Sequence, residues 1–474
     1  MIHQCFIVLC LFAMAPNLRA QEPLEEVVHV TIRPAAAPVP ALKYQFLPEY
    51  RDQTPGNALI HYDRAIEMAP KRPVPDDKFW KWLEMPSRDL PLAEVRSFLR
   101  PYHNVFRELE LAERCEHCDW QVREIIRTDT FGALFPDIQH LREFANLLRL
   151  RSGLEIAEGR FPDAVRTLRT GFAMARHANQ APTLIAALVG TAIAQVMTDQ
   201  VIELLQIPGA ANVYWALTDL PRPFIDLHTA MQCERLMVNG LFPSEQAGID
   251  IRTTPLSKQQ LEGVIHRLWA FSAGNSLMTE NYGRLQLYLI AITAKGYPEA
   301  KQFLLSQGLT PETVEAMPHL QVVLLFALAE YDRMFDEMIK WQREAYWEAR
   351  VGLEKVVQEL RKEKVKAGEL SRLPLAALLM PAVEKVVSAT ARIDRKIAAL
   401  RCIEAIRLYA AGHDGKLPGA LSEIREVPIP IDPVTGKEFE YRVEEGKAVL
   451  AAPPPPGEKP NSGNYLKYEL TLAK

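Results

Sequence analysis

From Asn57 onwards the chain repeats apolar residues at intervals of three and four, the spacing that lines one face of an α-helix. "NALIHYDRAIEMAP" and, beyond a proline-rich break, "DDKFWKWLE" read as short amphipathic helices, and a longer run extends from Leu92 to Ile126. Helices are predicted over 137–157, 162–178, 182–206 and 221–240, each bounded by Pro, Gly, Asp or Asn. The helical pattern resumes over 256–294, and a run over 311–367 is interrupted only by Pro318 and Gly352. A continuous helix from His319 to Ala367 would be about 70 Å long at roughly 1.5 Å per residue. It would have to pack along most of its length or protrude. Its second half, "EKVVQELRKEKVKAGELSR", carries both charge signs at i,i+4 spacing, as a solvated face does. After Pro374, "LAALLMPAVEKVV" is too short and too soon charged to span a bilayer, and reads as core.

Near the end the period changes. One more helix is predicted from Ala382 to Ala411, stopped by "GHDGKLPG", where Gly412 and Gly415 can take positive φ. "EFEYRV", the turn "EEGK" and "AVLAA" then read as a hairpin. "NYLKYELTL" alternates through Leu466, Tyr468, Leu470 and Leu472 and supplies a third strand. In "PIDPVTGKEFEY", Asp432, Pro433, Thr435 and Gly436 suit a structural turn that launches a strand.

Ahead of the helices, residues 21–56 are rich in proline, which deletes backbone donors, so an extended lead-in is expected. The fold class that follows is mainly α. An irregular helical-hairpin body over 57–370 precedes a small C-terminal α+β module over 371–474, one helix on a three-stranded antiparallel sheet. Two segments have tetratricopeptide (TPR) character, in which small and large residues recur where paired helices pack closely. Ala58, Tyr62, Ala65 and Pro70 match one such helix; Gly159, Phe161, Ala164, Leu168 and Gly171 match a turn and second helix. The second set predicts a TPR-like hairpin around 140–178. A regular superhelix would need about three stacked units.

Residues 1–20 pair a short apolar stretch, Cys5 to Ala15, with Pro16, Asn17 and a small residue at Ala20. This is the layout of a secretory signal peptide cleaved between Ala20 and Gln21. Export to the periplasm or beyond is expected, with no transmembrane anchor in the mature chain. Cleavage removes Arg19 from 55 basic residues and nothing from 59 acidic ones, leaving a net charge of −5. That balance does not favour a nucleic-acid partner.

Four cysteines, Cys115, Cys118, Cys233 and Cys402, remain after cleavage, in a compartment that permits disulfides. "RCEHCDW" places Cys115 and Cys118 three apart, open to three readings: structural thiols or a disulfide, a metal site, or a redox pair. Asp119 stands where a c-type haem site requires histidine. Zinc would need a second ligand pair at comparable spacing. A thioredoxin-like pair would sit at a strand-to-helix junction, whereas the pattern here is helical on both sides. The chain contains no HExxH, GxSxG, Walker loop or strand-linked GxGxxG, so no catalytic or metal-ligating residue is assigned and no cofactor is implied.

"VPALKYQFLPEYRDQTPGNALIHYDRA", "CDW" at 118–120 and "AALRCIEAIRLYAAGHDGKLPGALSEIREVPIPIDPVTGKEFEYR" resemble a group of secreted proteins of planctomycete bacteria. The resemblance frames nearly the whole chain and implies export and a shared architecture, without an assigned reaction. The C-terminal helix, "LP" turn and DP-containing hairpin are also similar to the soluble part of type II secretion pseudopilins. The prepilin cleavage site and N-terminal assembly helix of those subunits are missing, so the likeness concerns fold alone. Together these features favour a non-enzymatic interaction or scaffold protein with a protein partner in the cell envelope. The alternative is a hydrolase-like envelope enzyme with its site in an inter-helix cleft.

Overall fold

The computed structural model describes residues 27–71, 74–122, 136–242, 250–272, 281–368, 373, 375–455, 457–461 and 464–473. The signal segment, with Ala20 and Gln21, lies outside the described residues. The apolar periodicity resolves into α1 (Leu59–Met68), α2 (Asp76–Glu84), α3 (Leu92–Leu99), α4 (His103–Glu113), α5 (Pro136–Ala157), α6 (Phe161–Asn179) and α7 (Leu184–Leu205). There follow α8 (Tyr214–Thr218), α9 (His228–Asn239), α10 (Lys258–Ser272), α11 (Tyr282–Ser306), α12 (Pro311–Ala316), α13 (His319–Ile339), α14 (Tyr346–Gly368) and α15 (Leu375–Gly412). The strands are β1 (Val27–Ile32), β2 (Thr54–Asn57), β3 (Cys115–His117), β4 (Glu440–Glu444), β5 (Lys447–Ala452) and β6 (Leu466–Leu472). The molecule is therefore mainly α with a small C-terminal sheet.

Helix α7 is central. Thr183 caps it by accepting from the Ala186 N–H, and its neighbours are α5, α6, α9 and α15. By length and composition it could cross a membrane, but 67% of its apolar window is buried inside the protein, as in a core helix. It crosses α6 closely: a Cβ at Gly171 would fall 2.0 Å from Met197 Sδ, and one at Gly190 would fall 2.6 Å from the Ala175 carbonyl oxygen. Gly171, expected at a close helix contact, thus makes one. Helices α5 and α6 form an antiparallel hairpin closed at Gly159, whose φ of +70° suits glycine.

Several expectations change. The lead-in is not wholly extended chain: "VVHVTI" forms β1, which pairs in parallel with β6 from Val27↔Lys467 to Ile32↔Leu472. The sheet accordingly has four strands in the order β1-β6-β5-β4, the antiparallel β4-β5-β6 meander plus one parallel edge. The burial of Val30 and Ile32 explains the addition, since both enter the core that also takes Leu450, Tyr468 and Leu470. The run from Leu92 breaks into α3 and α4 around a 3-10 turn containing Pro101, then turns extended at β3, which pairs with β2. The helix expected before Cys115 is present as α4, but the run is not continuous, since Cys115–His117 is extended; residues 123–135, on the other side, lie outside the described residues. The long 319–367 helix is interrupted by a turn at 340–345. In the 221–240 segment the helix starts only at His228, beyond Pro221 and Pro223. The last helix starts earlier than expected, at Leu375.

Buried charges tie α15 to the rest. Arg407, fully buried, donates to Glu404 Oε1 at 2.5 Å, to the Ala210 carbonyl at 2.7 Å and to the Arg33 carbonyl at 3.0 Å. Glu404 also accepts from the Val213 N–H at 2.8 Å. Arg395 pairs with Asp432 at 2.7 Å and donates to the Asn464 and Pro453 carbonyls.

Candidate functional site

The turn that ends α13 and the first residues of α14 bring Trp341, Gln342, Tyr346 and Trp347 to a cleft lined also by α15. Opposite that turn run the proline-rich segments 221–228 and 428–433. Together these elements enclose about 690 Å³. This is within the size range of small-molecule sites, roughly 300–1,000 Å³. Its walls are mostly apolar, including Met338, Leu353, Val387 and Ile397. Two glycines seat its aromatic rings. A Cβ at Gly352 would fall 2.1 Å from Trp341, and one at Gly436 would fall 2.5 Å from Trp347.

Charged groups of both signs stand in the lining, Arg222, Arg343 and Arg401 with Asp226, Glu344 and Asp394. Arg401, 6% exposed, donates through Nε to Thr218 Oγ1 at 2.9 Å and through Nη2 to the Tyr214 hydroxyl at 3.0 Å, and lies over the Tyr214 ring at 5.2 Å. The Tyr214 hydroxyl in turn donates to the Pro428 carbonyl. Arg222, exposed, donates to the Thr218 carbonyl at 3.0 Å, so both guanidiniums are anchored on one residue. Burial and then the nearby Arg401 lower the Arg222 pKa. Asp394 accepts from the Phe224 N–H at 2.9 Å, tying α15 to the facing loop; burial raises its pKa to about 6, against the pull of that bond and of Arg222. His228 Nδ1 and both amide atoms of Gln342 are buried without a hydrogen-bond partner.

A second cavity, about 830 Å³, gathers Arg96, Arg100, His103, Arg107, Arg151 and Arg160 between α3, α4 and α5. Three of these arginines are already paired, Arg96 and Arg160 with Glu158 and Arg151 with Glu110 and Glu155. Ion pairing thus uses much of that charge internally.

The four expected cysteines are brought to different places. Cys115 lies in β3, Cys118 just beyond it, Cys233 in α9 and Cys402 in α15; all are buried, and no disulfide joins them. Burial pushes the Cys115, Cys118 and Cys402 thiols up, the opposite of what thiol chemistry requires. The Cys115–Cys118 segment is instead part of a core contact. Cys118 N–H donates to Gln180 Oε1, Trp120 Nε1 donates to the His177 carbonyl at 2.8 Å, and the Tyr62 hydroxyl meets His177 Nδ1 at 2.8 Å. Among the described residues no three His, Cys, Asp or Glu side chains are grouped to hold a metal ion.

Asp432, Pro433 and Gly436 form a turn in which the Gly436 N–H meets the Asp432 carbonyl at 2.8 Å and Gly436 has φ +68°. Sequence reasoning missed that the Asp432 carboxylate is also the buried partner of Arg395. It missed Arg222, Asp394 and Arg401 as well, since they stand on segments some 170 residues apart in sequence.

Compared with known proteins, the chain matches no family model, no curated protein and no solved structure.

Proposed function

We propose that the protein acts by binding, without catalysing a reaction, and that it receives its ligand in the cleft between α13, α14 and α15. The cleft carries this reading, because a largely apolar, aromatic-walled space with polar groups among its lining is how proteins hold organic ligands. The signal-peptide layout of residues 1–20 and the resemblance to planctomycete secreted proteins support a place in the periplasm or outside the cell. A protein partner in the envelope remains part of the reading. Because α7 packs against both helices of the TPR-like hairpin, we assign recognition to the cleft and not to a repeat groove.

Titration with the neutral dye Nile red tests the proposal. A saturable, one-to-one blue-shifted emission is expected, weakened in Ala391→Phe and Ala345→Trp, both of which add bulk to the cleft lining. Non-stoichiometric binding, or equal affinity in both variants when circular dichroism shows them folded, would refute it. The alternative, a hydrolase-like enzyme, draws on Asp394, whose raised pKa suits an acid. Yet no imidazole–carboxylate or nucleophile–base pair lies within hydrogen-bond distance in the cleft among the described residues. Turnover of p-nitrophenyl decanoate that is lost in Asp394→Asn would favour the enzyme.

A further inference from the structure

Resting on that reading of the cleft, we propose that its ligand is a small single-chain anionic amphiphile, with its acid group on Arg401 and Arg222 and its apolar body along Trp341, Met338, Leu353 and Ile397. Among the described residues, no Asp or Glu oxygen lies within ion-pair distance of either guanidinium, whereas the buried Arg395 and Arg407 on the same helix as Arg401 each have such a partner. Arg222 and Arg401 are both held to Thr218, one through its carbonyl and one through its hydroxyl, so two like charges are kept together at the edge of an apolar space. Asp394 acts on Arg222 electrostatically without reaching ion-pair distance, and the nearly buried Arg401 has no carboxylate partner among the described residues. An acid group of the ligand would supply that partner through charge-assisted hydrogen bonds.

Arg401 is pinned on three sides, by Thr218, the Tyr214 hydroxyl and the Tyr214 ring, so its planar fork is already oriented when the ligand arrives. The unpartnered Gln342 amide and His228 Nδ1 line the same space and can satisfy further oxygens of an acid group. The apolar lining takes an apolar body and the two unpaired guanidiniums take a negative charge, whereas a cationic amphiphile would set a like charge against Arg401.

The experiment displaces Nile red from the full chain with decanoate, decyl phosphate, decanol and decyltrimethylammonium. Displacement by both acids at concentrations at least tenfold below those of decanol and the cation is expected. Arg222→Gln, at an exposed position, should fold as the parent does by circular dichroism, weaken decanoate roughly tenfold and leave decanol unchanged. If decanoate alone of the two acids displaces the dye, the ligand is a carboxylate; if decyl phosphate alone, a phosphate. Equal displacement by all four overturns the anionic assignment and leaves the cleft reading standing. A peptide with a free carboxylate, Leu-Leu-Phe, displacing where neither decyl acid does overturns the small-amphiphile assignment. Failure of Nile red to enter the cleft overturns the cleft reading itself.

Discussion

Replacing Arg407 by methionine removes a fully buried cation from the junction of α15, the segment after β1 and the turn before α8. The substitution deletes three contacts, to Glu404 Oε1 and to the Ala210 and Arg33 carbonyls. It leaves the Glu404 carboxylate at 0% exposure with only the Val213 N–H to satisfy it. Breaking a buried ion pair from one side costs about 3–5 kcal/mol, because the remaining charge stays desolvated. Burial already raises the Glu404 pKa and Arg407 opposes it, so removing Arg407 lets it rise further. A carboxylate with a raised folded pKa is tolerated below its unfolded value, about 4.5, and costs stability as pH climbs. The loss in Arg407→Met should therefore be larger at pH 8 than at pH 5. Adding Glu404→Gln removes the orphaned charge, and the double variant should recover about 1–2 kcal/mol relative to the single one. Urea unfolding followed by circular dichroism, at both pH values, measures each difference. A loss under about 1 kcal/mol, or a double variant no more stable than Arg407→Met, would show that the pair does not work as argued.

Burial holds His177 neutral, with its pKa lowered from 6.5 to about 4, so folding stability should fall by about 3 kcal/mol as pH drops from 6.5 towards 4. Urea midpoints across that window check it, and a flat profile that His177→Gln does not change would count against it. All four mature cysteines should resist 5,5′-dithiobis(2-nitrobenzoic acid) in the native state and react in guanidinium; a missing thiol after unfolding would reveal a disulfide. Gly436→Ala forces a side chain into a positive-φ turn and against Trp347, and should cost about 1–3 kcal/mol and shift tryptophan emission. Unchanged emission would place Trp347 elsewhere. Asp394, near Arg222 in a cleft whose lining also holds Arg401, Arg343, His228, Asp226 and Glu344, loses its charge as pH falls through about 6. Decanoate should therefore bind more tightly at pH 5.5 than at 7.5, and Asp394→Asn should flatten that dependence; the opposite slope would contradict the charge argument.

The strand β6 was legible because its side chains alternate with a period of two, the hairpin β4-β5 because a glycine-containing turn separates two short runs, and the main helices because apolar residues recur every three or four positions. Where the signal was short, it was overridden. The six residues of β1 sit before a proline-rich stretch and show only two buried positions, so their pairing depends on the partner, β6, supplied more than 430 residues later. Cys115–His117 is extended because β2 offers a parallel edge, although its neighbours in sequence favour helix. The turn at 340–345 divides a run whose local pattern permits one long helix, and packing against α15 decides where it bends.

The sequence by itself determined the helical character, the strands near the end, the close helix contact at Gly171 and the turn at Asp432 to Gly436. Each follows from local periodicity or from the conformational freedom of single residues. The fourth strand, the buried pairs Arg407–Glu404 and Arg395–Asp432, and the cleft that gathers Arg222, Asp394 and Arg401 were decided only by tertiary structure. Their energies arise from burial and from charge at a few ångströms, between segments that no spacing along the chain connects.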